Sequence, residues 1–446
     1  MNERAVALLA RELERFDELH PRSRELAARA HASLLAGVPM HWMVRWPGSH
    51  ALFAEKASGA RVRDVDGIEY VDLCLGDTGA MTGHSPEPVV RAVAERAARG
   101  ITTMLPSEDA LWAGEELTRR FGVERWQFAL TATDANRFAL RLARLATGRP
   151  KVLVFNWCYH GTVDESFATL HGGCVVAREG NLGPPVALEE TTRVVEWNDA
   201  DALERELAHG DVACVLAEPA LTNIGIILPE RGFHDALREL TRRHGTLLLI
   251  DETHTLCAGP GGYTAAHELE PDVVTVGKAI GSGIPSAAYG FTAELAERIE
   301  AAIGRDDSDV GGVGGTLAAN ALSLAAIRAT LSEVLTDEAF ARMIELGERF
   351  EQGVASAIAD AGIPWHVTRL GCRVEYLFRP ERPRTGSEAA AGTDHLLDRL
   401  MHLYMLNRGI LLTPFHNMAL MSPATSEADV DRHTEVFREA VAEIVG

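Results

Sequence analysis

Short apolar runs alternate with longer amphipathic segments between about residues 151 and 291 of the chain. This alternation is typical of strands in a mostly parallel sheet that is covered by helices, so the sequence predicts an α/β fold. The predicted strands are Lys151–Phe155, Ala213–Ala217, Thr246–Ile250, Val273–Val276 and Ala288–Phe291.

The flanking regions follow other patterns. Upstream, Arg61–Leu73 carries Asp66-Gly67 between β-branched and aromatic residues, which predicts a hairpin. Downstream, the pattern predicts a long helix after Gly315, a helix over Glu345–Ala359, a strand near Arg373–Phe378 and a final helix from Glu427. We therefore expect an N-terminal segment over residues 1–66, a large domain over 67–325 and a smaller C-terminal domain over 326–446.

Composition narrows the range of partners. The chain has 446 residues and a formal net charge of −21, which works against nucleic acid as a partner because such binding depends on Lys and Arg neutralising phosphates. Six cysteines are scattered without a CxxC pair, so we expect reduced thiols, a cytoplasmic location and no metal site. No secretory signal and no run of about 18 apolar residues is seen, so no membrane span is predicted.

Two ionisable residues follow predicted strands of this sheet. Asp251 comes directly after Thr246–Ile250, and Gly277-Lys278 follows Val273–Val276. In open α/β sheets, ligands bind at the carboxyl ends of the strands. An aspartate there can pair with a protonated pyridine nitrogen, and a lysine can hold an aldehyde cofactor as a Schiff base and then shuttle a proton. Either residue alone is more often structural or exposed to solvent, so it is the pair that indicates a cofactor site.

A helix start supplies a third element. The stretch Thr131-Ala132-Thr133-Asp134 precedes an amphipathic helix whose apolar face begins at Ala135. Thr131 and Asp134 have the spacing of a capping box. The unpaired amides of the first turn and the two threonine hydroxyls could bind a cofactor phosphate. An ordinary N-cap is the alternative that this pattern leaves open.

These residues belong to a longer series of motifs. From about residue 30 to the C-terminus, the chain resembles the class III aminotransferases of the fold type I group, particularly those similar to glutamate-1-semialdehyde aminomutase and to amine or β-amino-acid transaminases. The resemblance implies pyridoxal 5'-phosphate (PLP) as cofactor, a seven-stranded sheet in the large domain, and a small α/β domain built from the C-terminus and the N-terminal segment. The matching stretches are Asp64-Val65-Asp66-Gly67, Tyr70-Val71-Asp72, Gly83-His84, Thr131 to Asn136, Tyr159-His160-Gly161, Ala217-Glu218-Pro219, Asp251-Glu252, Gly277-Lys278 and Gly315-Thr316.

The resemblance also implies roles for single residues around the cofactor. Lys278 carries PLP, and Asp251 holds its ring nitrogen protonated. Tyr159 stacks on the pyridine ring, with His160 as a hydrogen-bonding neighbour or, alternatively, a core histidine. Glu218 contacts the cofactor's side of the site or makes a structural salt bridge.

A further motif implies an assembly. In proteins of this family, the threonine of the Gly-Thr element reaches the cofactor phosphate of the neighbouring subunit. Gly315 and Thr316 occupy that element here. The resemblance therefore implies a homodimer with composite active sites.

The chain departs from the family pattern at positions that bind the cofactor in proteins of this family. The usual Ser-Gly-Thr-Glu phosphate element reads Thr131-Ala132-Thr133-Asp134 here. The methyl group of Ala132 narrows the space through which the phosphate approaches, but the backbone N–H of this residue remains available as a donor. Thr253 stands where valine is usual, with His254 beside it. The Thr253 hydroxyl could lie near the phenolic oxygen of the cofactor. Alternatively, Thr253 could simply fill the same space as the usual valine.

Other departures concern the substrate. The arginine that often follows the Asp-Glu element is replaced by the region 256–258, and there is no arginine between Arg408 and Arg432 to grip a substrate carboxylate. The C-terminal stretch instead contains Phe415 and His416. We expect both to contact substrate in a site lined by aromatic residues.

The segment Pro39–Trp46 occupies the part of the chain that folds over the substrate entrance in enzymes it resembles. We expect His41, Trp42 and Arg45 to contact substrate. Arg45 is the best candidate for a carboxylate handle, with His41 weaker and Arg373 an outside candidate. The alternative is that the tryptophans only pack a dimer interface.

The sequence thus predicts a PLP-dependent aminotransferase that moves an amino group from an amine or amino acid with an apolar or aromatic side chain to a keto acid through Lys278. The first alternative is an aminomutase, racemase or epimerase, which keeps the amino group on one substrate. The second is a catalytically idle binding protein of the same fold, against which the intact Lys278 and Asp251 argue.

Overall fold

The computed structural model describes residues 2–182, 186–304, 309–414 and 416–446. The chain divides into two compact units. The first unit contains Met1–Pro86, Glu338–Arg382 and Gly392–Gly446, and the second contains Glu87–Asp337 and Pro383–Ala391. The boundaries predicted after residues 66 and 325 each fall inside one of these units, and the three-part division stays a prediction.

Helices account for both termini and for most long segments between strands. In chain order, the α-helices of the described residues are α1 (Asn2–Leu19), α2 (Pro21–Ala30), α3 (Glu87–Ala97), α4 (Glu108–Phe121), α5 (Ala132–Thr147), α6 (Ala200–Leu207), α7 (Phe233–Arg243), α8 (Gly262–Ala266), α9 (Ala293–Ile303), α10 (Ala321–Ala329), α11 (Asp337–Ala361), α12 (Gly386–Ala390), α13 (His395–Leu406) and α14 (Glu427–Val445).

The strands are short, as is usual in globular proteins. In chain order, those of the described residues are β1 (Ala54–Ser58), β2 (Arg61–Asp64), β3 (Glu69–Asp72), β4 (Arg125–Ala129), β5 (Lys151–Phe155), β6 (Ala168–His171), β7 (Cys174–Ala177), β8 (Thr192–Val195), β9 (Val212–Ala217), β10 (Leu247–Asp251), β11 (Val273–Val276), β12 (Ala287–Phe291), β13 (His366–Leu370), β14 (Arg373–Leu377), β15 (Ile410–Leu411) and β16 (Met418–Leu420).

The second unit contains a seven-stranded sheet in the order β4-β12-β11-β10-β9-β5-β8. Strand β12 runs antiparallel to both of its neighbours, and the other pairings are parallel. Strands β9 and β11 are buried along their whole length, because helices cover both faces of such a sheet. The predicted seven-stranded, mostly parallel sheet is confirmed, and each of the five predicted strands lies within one residue of its observed bounds.

The helix after Gly315 differs from the prediction. It starts only at Ala321, because the side chain of Asn320 accepts a hydrogen bond from the backbone N–H of Ser323 at 2.9 Å and caps the first turn. A π-helical turn over Thr330–Val334 follows it directly.

The first unit contains a four-stranded sheet in the order β1-β2-β3-β15 and a three-stranded sheet in the order β13-β14-β16. Strands β2 and β3 form the predicted hairpin around Asp66-Gly67, where Gly67 takes a φ of 90°. Helix α14 begins at Glu427 as predicted, because Ser426 and Asp429 form a capping box. Within the described residues, no helix combines the length and apolar character that crossing a membrane requires.

Candidate active site

The candidate site lies at the carboxyl edge of the seven-stranded sheet. Strands β4, β5, β9, β10 and β11 point the same way, so the segments that follow them meet at one edge. That edge is where open α/β sheets bind ligands. It carries every cofactor residue predicted from the sequence except Gly315 and Thr316.

Lys278 follows β11 and contacts a histidine that follows the neighbouring strand, β10. Its Nζ lies 2.9 Å from Nε2 of His254. Asp251 pairs with Thr275 across β10 and β11, so His254 and Lys278 each lie three residues beyond a paired position. The sheet register therefore brings the two side chains together.

The carboxylate of Asp251 is buried at the end of β10 and accepts three hydrogen bonds, which leaves one of its about four acceptor positions for a further donor. Its Oδ2 accepts hydrogen bonds from Nδ1 of His160 at 2.9 Å and from Nδ2 of Asn136 at 2.8 Å. Its Oδ1 accepts a hydrogen bond from the backbone N–H of Thr253 at 3.0 Å. Asn136 is oriented in turn by Thr275, whose hydroxyl donates to its Oδ1 at 2.7 Å.

These contacts fix the charges of Asp251 and His160. Burial disfavours a charged Asp251, but the hydrogen bond and charge of His160, with the donors of Thr253 and Asn136, outweigh burial and lower the pKa of Asp251 to about 2. Burial also opposes protonation of His160, but Cys158 and Asp251 outweigh it and raise the pKa of His160 to about 10. The two side chains therefore form a buried ion pair at neutral pH.

The start of α5 lies against two other segments of the site. Thr131 caps the helix, with its Oγ1 accepting from the backbone N–H of Asp134 at 3.1 Å. The hydroxyl of Thr133 accepts from the backbone N–H of Thr162 at 3.0 Å. A Cβ added to Gly277 would lie 3.0 Å from Cβ of Ala132, so the backbone just before Lys278 approaches the helix start closely. The predicted N-cap is present, and it lies where a phosphate could bind beside the lysine.

Glu218 holds the loop that carries Tyr159. Its Oε1 accepts from the backbone N–H of Tyr159 at 3.3 Å, and its Oε2 accepts from both the backbone N–H, at 3.1 Å, and the hydroxyl of Thr222. Burial raises the pKa of Glu218, against the opposing charge of His160. The structure thus places Glu218 behind Tyr159 and fixes the backbone from which the aromatic ring projects.

The residues at this edge match the functional groups of PLP. Asp251 offers a buried anion to a protonated ring nitrogen, and Lys278 offers a primary amine to the aldehyde. The first amides of α5, near Ala132 and Thr133, suit the phosphate because a helix N-terminus attracts anions. The donor set therefore fits the cofactor that the sequence predicted.

Sequence reasoning missed two residues that support the site. Asn136 is fully buried and bonds both Asp251 and the carbonyl of His160; its signal was a polar side chain on the apolar face of α5. Arg178 donates to the carbonyls of Cys158 at 2.6 Å and Ser166 at 2.9 Å and so closes the loop that carries Tyr159. No pattern in the sequence pointed to Arg178.

The remaining predicted residues belong to other segments of the chain. Gly315 and Thr316 are exposed, on a segment of the second unit that lies beside residues 101–106. His41, Trp42 and Arg45 form an exposed 3-10 helix in the first unit.

Two other predicted substrate positions belong to the C-terminal part of the chain. His416 is buried, with Nδ1 3.5 Å from Oε1 of Glu375. Arg373, the outside candidate for a carboxylate handle, is buried 3.5 Å from Oε2 of the same glutamate. Phe415 lies outside the described residues.

Known proteins match nearly the whole chain. Residues 43–441 match the family model of the class-III aminotransferases. A glutamate-1-semialdehyde 2,1-aminomutase from Sorangium cellulosum (strain So ce56) is 34% identical over 433 residues, which cover 95% of this chain and 96% of the relative.

Solved structures also match nearly the whole chain. A crystal structure of a glutamate-1-semialdehyde-aminomutase from Pseudomonas aeruginosa PAO1 is 52% identical, with a TM-score of 0.98 and coverage of 100% of this chain and 99% of that chain. A second structure under that name, with one lysine replaced by alanine and in complex with PMP, has a TM-score of 0.97 at 52% identity and covers 99% of both chains. A β-phenylalanine aminotransferase from Variovorax paradoxus is 26% identical, with a TM-score of 0.88 and coverage of 98% and 97%.

The family match, the seven-stranded sheet and the groups at its carboxyl edge agree with one another. The chain belongs to the class-III aminotransferase family of PLP-dependent, fold type I enzymes.

Proposed function

We propose that the chain is an aminomutase of the glutamate-1-semialdehyde type, which moves an amino group between two carbons of a single substrate. The observation that carries a PLP-dependent reaction is the ionised Asp251 carboxylate at the same sheet edge as the Lys278 amine. The names of relatives that are 34% and 52% identical support an aminomutase over the aminotransferase predicted from the sequence.

The proposal gives each group at the sheet edge a task. When bound, PLP withdraws electrons from the substrate carbon that bears the amino group. Asp251 keeps a proton on the ring nitrogen, and Nζ of Lys278 takes up and returns a proton at the substrate. The first turn of α5 binds the phosphate, and the ring of Tyr159, held through Glu218, covers one face of the pyridine.

A transaminase for an amine with an apolar or aromatic side chain is the second candidate. The observation that favours it is the exposed 3-10 helix His41–Arg45, in which Trp42 and Met43 are 38% and 39% exposed. Adaptable apolar side chains beside one cation, Arg45, suit an aromatic amino donor and a keto acid. The 26% identical β-phenylalanine aminotransferase adds weight to this candidate.

The number of substrates distinguishes the two candidates. The PLP-loaded enzyme is incubated with glutamate 1-semialdehyde alone and, separately, with β-phenylalanine and 2-oxoglutarate. We expect the first mixture to yield the isomer in which the amino group and the carbonyl oxygen have exchanged neighbouring carbons, although no keto-acid acceptor is added. Glutamate formed in the second mixture, with no isomer in the first, would favour the transaminase. Arg45→Ala should then raise KM for the keto acid more than KM for an amine without a carboxylate.

The assignment of Lys278 has a direct test, because the chain contains three lysines, Lys56, Lys151 and Lys278. Borohydride reduction of the PLP-loaded enzyme, followed by peptide mass spectrometry, should place the cofactor on Lys278. Lys278→Ala should lose both this label and turnover, whereas Lys56→Ala, at an exposed position of β1, should keep both. A reduced cofactor found on Lys56 or Lys151 would refute the assignment.

We also propose that the enzyme is a homodimer in which Thr316 contacts the cofactor phosphate of the partner subunit. Met104, Leu105 and Leu317 are 75%, 74% and 54% exposed. Their two segments adjoin, since the backbone N–H of Ala321 donates to the carbonyl of Ile101 at 3.0 Å. Exposed apolar patches of this kind mark protein interfaces. Sedimentation should show a dimer that releases PLP on dissociation, and a fully active monomer would contradict the proposal.

A further inference from the structure

We propose that His254 exchanges protons with the amine of Lys278 and is a further catalytic residue of this enzyme. The inference rests on the proposed role of Lys278 as the cofactor lysine. Its basis is the 2.9 Å contact between Nε2 of His254 and Nζ of Lys278. A contact of this length is a hydrogen bond along which a proton can move.

The chemistry of the two side chains restricts how they share protons. A lysine ammonium can only donate hydrogen bonds, and a doubly protonated imidazole can also only donate them. Two donors do not face each other at 2.9 Å, so either Nζ of Lys278 or Nε2 of His254 acts as the acceptor. One proton therefore lies between them, carried by one nitrogen and accepted by the other.

The backbone around His254 is firmly held, so the contact does not depend on a loose side chain. Glu252, two residues before His254, accepts hydrogen bonds from the hydroxyl of Thr255 at 2.5 Å and from the backbone N–H groups of Tyr263 at 3.1 Å and Thr264 at 2.5 Å. These bonds close the turn after β10 on both sides of His254. The histidine itself is 9% exposed.

The backbone of Lys278, which follows β11, is also held in a defined conformation. Its φ is 51°, in the left-handed region that side chains with a Cβ rarely occupy. Local strain of this kind persists where the surrounding structure imposes it, and it is concentrated at functional sites. The backbone that carries the amine is therefore held in one conformation, and the amine lies 2.9 Å from Nε2 of His254.

The proposed exchange meets a need of the cofactor-binding reaction. When a primary amine condenses with an aldehyde, one C=N bond forms and one water leaves. The oxygen of that water comes from the aldehyde, and its two hydrogens come from the amine nitrogen. Nζ of Lys278 must therefore release two protons while its electrons form the new bond. His254 can accept each proton at Nε2 and pass it to the departing oxygen, and no oxidant or reductant is required.

The test compares two cofactor forms on protein freed of cofactor. PLP must bond to Lys278, whereas PMP has no aldehyde and binds without that bond. We expect His254→Asn to slow PLP capture, followed by stopped-flow absorbance, by about 10²-fold, the usual contribution of a positioned acid or base. PMP affinity should stay at the wild-type value. His267→Asn is the control, because His267 is exposed outside the site and stacks on Tyr263.

Chemical rescue separates proton transfer from packing. His254→Ala opens space for a free imidazole, so added imidazole should accelerate PLP capture by this variant but not by His254→Asn. Wild-type capture rates in His254→Asn, or equal losses of PLP capture and PMP affinity, would overturn the inference. A cofactor trapped on Lys56 or Lys151 would instead refute the role assigned to Lys278, so the two failures are distinguishable.

Discussion

Nδ1 of His160 lies 2.9 Å from Oδ2 of Asp251, and both side chains are buried. An ionised carboxylate in the interior is costly unless a charge and hydrogen bonds compensate it. Here the charge comes from His160, and the further donors are Asn136 and the backbone of Thr253. The protein thereby keeps a permanent anion at the sheet edge, ready to pair with a cation in the site.

Asp251→Asn removes this anion with little change of shape. We expect the variant to fold and to lose turnover by about 10²-fold or more, because a neutral amide cannot stabilise a protonated ring nitrogen. The measurement is kcat beside a circular dichroism spectrum of the folded protein. Near-normal kcat would mean that another residue holds the ring nitrogen.

The charge of His160 makes stability depend on pH. Its pKa is raised in the folded protein from an ordinary value of 6.5 to about 10. A group with a raised folded pKa stabilises the fold fully below its unfolded pKa, and this contribution is lost as the pH rises towards the folded pKa. We expect the difference in unfolding free energy between the wild type and His160→Gln to shrink between pH 6.5 and pH 10.

Urea unfolding at several pH values measures that difference, and ¹⁵N chemical shifts of labelled histidine report the protonation of His160 directly. Asp251 behaves in the opposite way: because its pKa is lowered from an ordinary value of 3.8 to about 2, its contribution is present above pH 3.8 and is lost as the pH falls to about 2. A His160 ring that is neutral at pH 7.5, or a difference that grows between pH 6.5 and pH 10, would contradict the ion pair.

The sequence predicted the parts of this site that follow from local pattern. Continuous apolar runs identify buried parallel strands, so the positions of Asp251 and Lys278 after their strands were visible without a structure. The contact of Lys278 with His254 was not, because it depends on the register of β10 against β11. Asn136 was missed as a partner of Asp251 because the two residues lie 115 positions apart in the chain and meet only when α5 packs on the sheet.

Asn136 should matter for stability as well as for the site. Asn136→Leu leaves Oδ2 of Asp251 without one donor and the hydroxyl of Thr275 without its acceptor, and a buried polar group that loses its partner costs about 1–3 kcal/mol. We expect that loss in urea unfolding, with weaker PLP retention. Adding Thr275→Val should recover part of the stability, because it removes the second unpaired group. If Asn136→Leu alone were as stable as the wild type, the hydrogen bonds of Asn136 would contribute nothing to the free energy of unfolding.

Gly161 sets the distance between the loop of Tyr159 and the start of α5. A Cβ at this position would lie 2.2 Å from Oγ1 and 2.8 Å from Cα of Thr133, so an alanine must push the loop away from the phosphate site. Its φ of 76° adds strain for any residue with a Cβ. We therefore expect Gly161→Ala to lower the affinity for PLP and for PMP alike.

The matched control for that variant is Gly172→Ala. Gly172 also has a positive φ, 58°, but a Cβ there meets nothing within 4 Å. Both variants carry the backbone strain, of about 1 kcal/mol or more, and only Gly161→Ala carries the clash. Unfolding free energy should therefore fall in both, whereas cofactor affinity, measured by titration of the cofactor-free protein, should fall only in Gly161→Ala. Equal affinities in the two variants would mean that the loop of Tyr159 can move without disturbing the phosphate site.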